Sequence, residues 1–169
     1  DSLTKLDDFD PNEEKQENIV KKEVDVNAII HAAIDDTMLQ GKEKDILTTL
    51  DIPTNITVWG DSSLIYGIFR NLIDNSIAYA VGATTIDISC IKRDNHYEFV
   101  ISDNGCGVPK EHLPHIFERF YRVDKGRTRK LGGTGLGLAI VKNAVILHHG
   151  NITAYATPGG GLSVKFTLP

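Results

Sequence analysis

The chain lacks what several protein classes need. It has two cysteines, Cys90 and Cys106, too far apart for a Cys-x-x-Cys unit. Neither a disulfide framework nor a cysteine zinc site is supported, and both read as free thiols of a reducing compartment. Positive charge is scarce: 18 Lys and Arg face 23 Asp and Glu, a net charge of -5. That excludes the basic stripe of a dedicated nucleic-acid binder. No apolar run approaches the ~18 residues of a membrane span, and the first residues lack the basic-then-apolar pattern of a secretory signal. Histidines are scattered. His112 and His115 could share a helical face, but no cluster of carboxylates or cysteines joins them, so a metal is not expected there. His148 and His149 precede Gly150, where imidazoles suit the negative end of a helix dipole.

What is present supports a single core. At 169 residues and 41% hydrophobic content the chain fits one ordinary domain. Residues 1–18 are polar and acidic apart from Leu3, Leu6 and Phe9. They read as a linker, with the end of a preceding helix as its opening turns. Regular structure is expected from 19 onward. A strand over 19–24 leads to Asp25 as N-cap of a helix with Val26, Ile29, Ile30, Ala33 and Ile34 on its apolar face. Gly41 is expected to stop it.

Strands over 46–52 and 57–59 follow, then Asp61 or Ser62 as the cap of a second helix. Its apolar positions Leu64, Ile65, Ile68, Phe69, Leu72 and Ile73 recur at helical spacing. Runs 84–91 and 97–102 form a hairpin through Asp94 and Asn95. Irregular chain over 104–133, a helix over 135–148 and two strands over 151–156 and 162–168 complete the order. Pro158 and Gly159 to Gly161 make the last turn. This irregular alternation with hairpins predicts an α+β two-layer sandwich rather than a doubly wound sheet.

Three features carry chemistry. Asn71 and Asn75 lie four apart and share a helix face beside core residues. Such amides are either solvated or bound to a ligand, and an amide oxygen suits a hard cation completed by phosphate and water. Asp103 closes an apolar strand and is followed by Asn104, Gly105, Cys106 and Gly107. This is either an ordinary turn or a carboxylate whose glycines let a ligand approach the backbone. Gly132, Gly133, Thr134, Gly135, Leu136 and Gly137 open a helix, where exposed N–H groups favour phosphate. A mere hinge is the plain alternative. The loop is no Walker A motif, having no Gly-Lys-Ser/Thr, and its GxGxG spacing is not a dinucleotide fingerprint.

In order and spacing these features resemble the catalytic, ATP-binding domain of bacterial sensor histidine kinases. That superfamily also holds DNA gyrase, a heat-shock chaperone family and the MutL mismatch-repair proteins. Residues 71–80 resemble its N box, 103–108 its first glycine box, 116–124 its F box and 132–140 its second glycine box. The resemblance covers residues 19–169. It implies a Bergerat-type two-layer α/β sandwich: a mixed, largely antiparallel sheet, helices on one face and a long ATP lid over 107–133.

The resemblance also implies roles. Asn75 would coordinate Mg2+, and Asn71 would contact phosphate or support the metal. Asp103 would accept the adenine amino group, and Tyr79 would lie against the ring. Gly105 and Gly107 would leave room for the base, while Gly133, Thr134, Gly135, Leu136 and Gly137 would cradle phosphates. Arg122 would be the lid cation near the γ-phosphate. Phe117 and Phe120 would anchor a lid whose basic tip spans 125–130.

Position 78 departs from the pattern: Ala78 stands where a Lys or Arg commonly reaches phosphate, which predicts a weaker phosphate grip. Asn71 occupies the place where hydrolytic relatives carry a Glu general base, and an amide cannot take a proton from water. A kinase is therefore expected over a self-contained ATPase, with a non-catalytic nucleotide-binding or docking module as the remaining alternative. No acceptor-histidine motif occurs in the chain, and His31 reads as a surface residue. The resemblance thus places the phosphoacceptor on a separate helical dimerisation domain of the same protein, with a response regulator downstream. It implies a cytoplasmic, monomeric domain of a membrane-anchored sensor.

Overall fold

The computed structural model describes residues 19–121 and 136–169. The first strand, β1 (Lys22–Asp25), begins later than expected. It pairs antiparallel with β3 (Thr57–Gly60), joining the buried Val24 to Val58. Helix α1 (Val26–Glu43) starts at Asp25, whose extended backbone lets its carboxylate accept from the Ala28 N–H at 3.2 Å. Val26, Ile30, Ala33, Thr37 and Gly41 form its buried stripe.

Gly41 does not stop this helix. Its carbonyl receives the N–H of Ile46 at 2.8 Å, and a Cβ there would stand 3.2 Å from the Ile46 oxygen. The glycine admits the returning chain. Asp45, at φ +56°, takes the left-handed turn instead.

Strand β2 (Leu47–Asp51) pairs in parallel with β4 (Thr85–Lys92). Strands β4, β5 (Tyr97–Asp103), β7 (Leu162–Leu168) and β6 (Ile152–Ala156) continue the sheet antiparallel, in the order β2-β4-β5-β7-β6. The sheet is therefore mixed and largely antiparallel, as expected, with β1 and β3 as a separate ribbon. The β4–β5 turn closes where Arg93 N–H meets the His96 carbonyl at 2.8 Å.

Helix α2 (Ser62–Tyr79) is capped by Asp61, which accepts from Leu64 N–H at 3.1 Å. Its buried stripe runs Ile65, Ile68, Phe69, Leu72, Ile73, Ser76, Ile77. Helix α3 (Gly137–Leu147) packs on α2, as does α1. Between helices and sheet lies an aromatic cluster. Phe99 and Phe166, paired across β5 and β7, stack at 5.0 Å, and the Phe69 ring meets both edge-on at 5.4 and 5.5 Å.

The α3 terminus corrects one expectation. His148 is not a cation at the helix end but a buried, neutral imidazole. Its Nδ1–H donates to the Ala144 carbonyl at 2.7 Å, and its Nε2 accepts from the Asp61 N–H at 3.0 Å. Burial, the largest influence, holds its pKa below the ordinary value.

Candidate functional site

The site is built where two buried patterns end. On β5 the core-facing row is Phe99, Ile101, Asp103, so alternation places a carboxylate where a third apolar residue would stand. Asp103 is 5% exposed. Burial of that kind requires partners, and three donors supply them. Oδ1 accepts the N–H groups of Gly105 at 3.0 Å and Leu162 at 3.2 Å, and Oδ2 accepts the Ser76 hydroxyl at 3.2 Å.

Glycines let the chain close around this carboxylate. A Cβ on Gly105 would lie 2.7 Å from the Ala80 Cβ, so the loop after β5 is seated on the end of α2. Gly107, at φ +75°, faces the Gly161 carbonyl. Asn104 fastens the same loop to the start of β4. Its Oδ1 accepts from Thr84 N–H at 2.8 Å and Thr85 N–H at 3.0 Å, and its Nδ2 donates to the Thr84 hydroxyl at 2.8 Å.

On α2, Asn75 directly before Ser76 and Asn71 one turn earlier behave differently. Asn71 donates its Nδ2 to the Gly67 carbonyl at 2.7 Å and turns Oδ1 toward Gly137 of α3, where a Cβ would stand 3.3 Å away. Asn75 is half-buried, and its amide has no hydrogen-bond partner among the described residues. Tyr79 and Ala78 are half-buried in the last turn of α2. The Tyr79 carbonyl lies 3.9 Å from the Cys106 thiol.

The structure thus brings together Asn71, Asn75, Tyr79, Asp103, Gly105, Gly107 and the Leu136–Gly137 start of α3. Arg122, Gly132, Gly133, Thr134, Gly135 and the basic tip lie outside the described residues. Of the two expected lid anchors, Phe117 packs against the core, while Phe120 is 43% exposed at φ +64°, with the Arg119 guanidinium 5.7 Å from its ring centroid. Among the described residues, Phe120 is not one of those packed against the core.

His112 and His115 are engaged by Tyr121 and Glu118 respectively. Among the described residues no group of His, Cys, Asp and Glu is placed to hold a metal by itself. The unpartnered Asn75 amide suits a cation that brings phosphate and water as its other ligands.

Sequence reasoning missed Ser76, Gly161 and the Leu162 N–H. The available signal was three successive glycines at 159–161, more than a hairpin turn needs.

Comparison with known proteins places this geometry in context. Residues 60–169 match the family described as histidine kinase-, DNA gyrase B-, and HSP90-like ATPase. The sensor-like histidine kinase SenX3 of Mycolicibacterium smegmatis is 40% identical over 146 residues, 86% of this chain and 38% of that protein. The sensor protein kinase WalK of Staphylococcus haemolyticus is 38% identical over 158 residues, 92% of this chain and 26% of that protein. The chain spans well under half the length of these relatives. The mycobacterial sensor histidine kinase MprB superposes with a TM-score of 0.74 at 29% identity, over 89% of this chain and 97% of that structure.

Proposed function

The chain belongs to the histidine kinase-, DNA gyrase B- and HSP90-like ATPase family, and from that premise we propose that residues 19–169 are the catalytic domain of a two-component sensor histidine kinase. The domain binds Mg-ATP and presents the γ-phosphoryl group to a histidine on a separate helical dimerisation domain. From there a response regulator receives it. The observation that carries the reading is the buried Asp103 carboxylate, held by three donors with acceptor capacity to spare. It lies at the base of the helix that bears Asn71 and Asn75.

In this reading Asp103 accepts the adenine amino group, and Tyr79 lies against the ring. Gly105 and Gly107 admit the base, and Asn75 holds Mg2+ through its amide oxygen. The ion, when bound, neutralises phosphate charge. Asn71 cannot serve as a base for hydrolysis, and its N–H donating to Gly67 leaves an oxygen toward the phosphate end. The loop 132–137 cradles the phosphates, and Arg122 stabilises charge during transfer. With Ala78 offering no cation, the phosphate grip rests on Arg122 and the lid lysines. No described helix is long and apolar enough to cross a membrane. We place the domain on the cytoplasmic side of an anchored sensor, monomeric when separated from its dimerisation helices.

Two measurements test this. Calorimetric titration with ATP, with and without Mg2+, should show binding strengthened by the ion. Radiolabelled ATP, this domain and the parent's helical domain together should give acid-labile phosphohistidine on the latter. Absence of nucleotide binding would overturn the reading.

A further inference from the structure

Two polar residues interrupt two apolar patterns, and they interrupt them at one point. Ser76 stands in the buried stripe of α2, four residues after Leu72 and three after Ile73, at 7% exposure. Asp103 stands in the buried row of β5. The Ser76 hydroxyl turns away from its own helix to donate to Asp103 Oδ2 at 3.2 Å. A serine inside a helix can return its proton to the carbonyl four residues back; here the hydroxyl serves the carboxylate instead.

We propose that Ser76 is a positioning residue for nucleobase recognition: it fixes Asp103 so that one acceptor direction on Oδ2 faces the ligand, and so enforces selection of a 6-amino purine. The proposal rests on the reading of Asp103 as the adenine acceptor. A carboxylate offers about four lone-pair directions. The two on Oδ1 are taken by Gly105 and Leu162 N–H, and one on Oδ2 by Ser76. A single direction remains, sufficient for one N–H.

Having given its only proton to Oδ2, the Ser76 oxygen displays acceptors alone. The surface formed by Oδ2 and Ser76 Oγ thus offers no donor. A 6-oxo purine would set its own acceptor against it, and a purine without the amine would leave the direction empty. Sites built to bond a polar group discriminate strongly against analogues that lack it. Without the hydroxyl, Oδ2 regains a second free direction, and a water molecule can compete for it.

The test compares Mg-ATP with the triphosphate of purine riboside, which differs only by loss of the 6-amino group, on the intact chain and on three variants. The parent is expected to favour ATP by about tenfold or more. Ser76→Ala should shrink that ratio about fivefold, through weaker ATP binding with the affinity for the deamino analogue unchanged, as for one hydrogen bond of ordinary net strength. Ser76→Cys, nearer in size but a poor donor, should behave the same way. Ser76→Thr, which keeps the hydroxyl, should retain the ratio.

Equal loss for both nucleotides, or no change for either, means Ser76 only packs, and the proposal is wrong. A parent that binds both nucleotides equally overturns the role of Asp103 itself. A parent that binds neither overturns the nucleotide site.

Discussion

Gly161 and Asp103 approach so closely that a Cβ on Gly161 would stand 1.9 Å from the Asp103 main-chain oxygen and 2.9 Å from its Oδ1. The contact joins the final hairpin turn to the end of β5, and the next residue, Leu162, gives its N–H to the same Oδ1. At φ +113° Gly161 also occupies a backbone region that side chains avoid. Gly161→Ala should therefore cost about 2–4 kcal/mol in urea unfolding. By displacing Leu162 N–H from Oδ1, it should also weaken ATP binding in whatever fraction stays folded. Gly159→Ala serves as the control for backbone strain alone, because it shares a positive φ, +88°, but a Cβ there meets nothing within 4 Å. A Gly161→Ala protein with parental stability and affinity would show that the turn merely ends a hairpin.

Replacing the carboxylate separates its structural and recognition roles. In Asp103→Asn the amide oxygen can keep both backbone N–H donors, while an NH2 group replaces the Oδ2 acceptor. Stability should fall modestly, by about 1–2 kcal/mol, because Ser76 can reverse its hydroxyl and accept. ATP affinity should fall about 10–100-fold, since a donor would face the adenine amine. Titration of the folded variant measures this directly. Undiminished affinity would remove Asp103 from recognition.

Much of this arrangement was legible in the residues, and the legible parts were local. Asp25 and Asp61 cap their helices because short acidic side chains before apolar periodic runs have few other uses. Strand β7 lies where its alternation puts it. The order and spacing of Asn71, Asn75, Asp103 and the glycines carried the resemblance to the family that the chain belongs to.

What escaped depended on chain segments far apart in sequence. Gly41 resembles a helix stop until Ile46 is seen to return against it. His148 resembles a dipole-compensating cation until Gly60 and Asp61 close over its ring, leaving no room for a Cβ on Gly60. Ser76 is unremarkable on α2 until β5 supplies Asp103. Each depends on a packing partner that a periodicity cannot name.

Asn75 offers a cleaner separation of binding from folding. Its amide has no hydrogen-bond partner among the described residues, so Asn75→Ala should shift stability by no more than about 0.5 kcal/mol. If the amide oxygen holds Mg2+, the variant should lose most of the difference between ATP titrations run with Mg2+ and with chelator. Persistence of that difference would place the ion elsewhere.

His148 gives the fold a pH dependence with a definite sign. Burial, followed by the neighbouring Lys21 and His149, lowers its pKa from 6.5, against the opposing influence of the Ala144 carbonyl and Asp61. The unfolded chain therefore binds a proton more readily than the folded one. Stability is full above about pH 6.5 and is lost as pH falls from there toward the depressed folded value. Protonation would remove the acceptor for the Asp61 N–H, at the residue that caps α2 and receives Val20 N–H at 3.1 Å. Melting temperatures followed from roughly pH 7.5 to 5.5 should decline more steeply for the parent than for His148→Gln. Parallel curves would contradict the assignment.

The two thiols should behave oppositely, Cys106 reporting on the Asp103 loop and Cys90, opposite Phe99, on the core. Cys90 is buried in β4, and desolvation, reinforced by Glu98, pushes its pKa up to about 12, so almost no thiolate forms at neutral pH. Cys106 is exposed, between the two glycines of the loop that holds Asp103. Iodoacetamide near pH 8 should therefore label Cys106 first, with Cys90 reacting only after denaturant is added. If this loop borders the base pocket, saturating Mg-ATP should slow labelling of Cys106 several-fold and leave Cys90 as it was. Mass spectrometry of tryptic peptides resolves the two positions. Labelling of Cys106 that ignores nucleotide would place the base away from residues 103–107, and the recognition role of Asp103 would have to be abandoned with it.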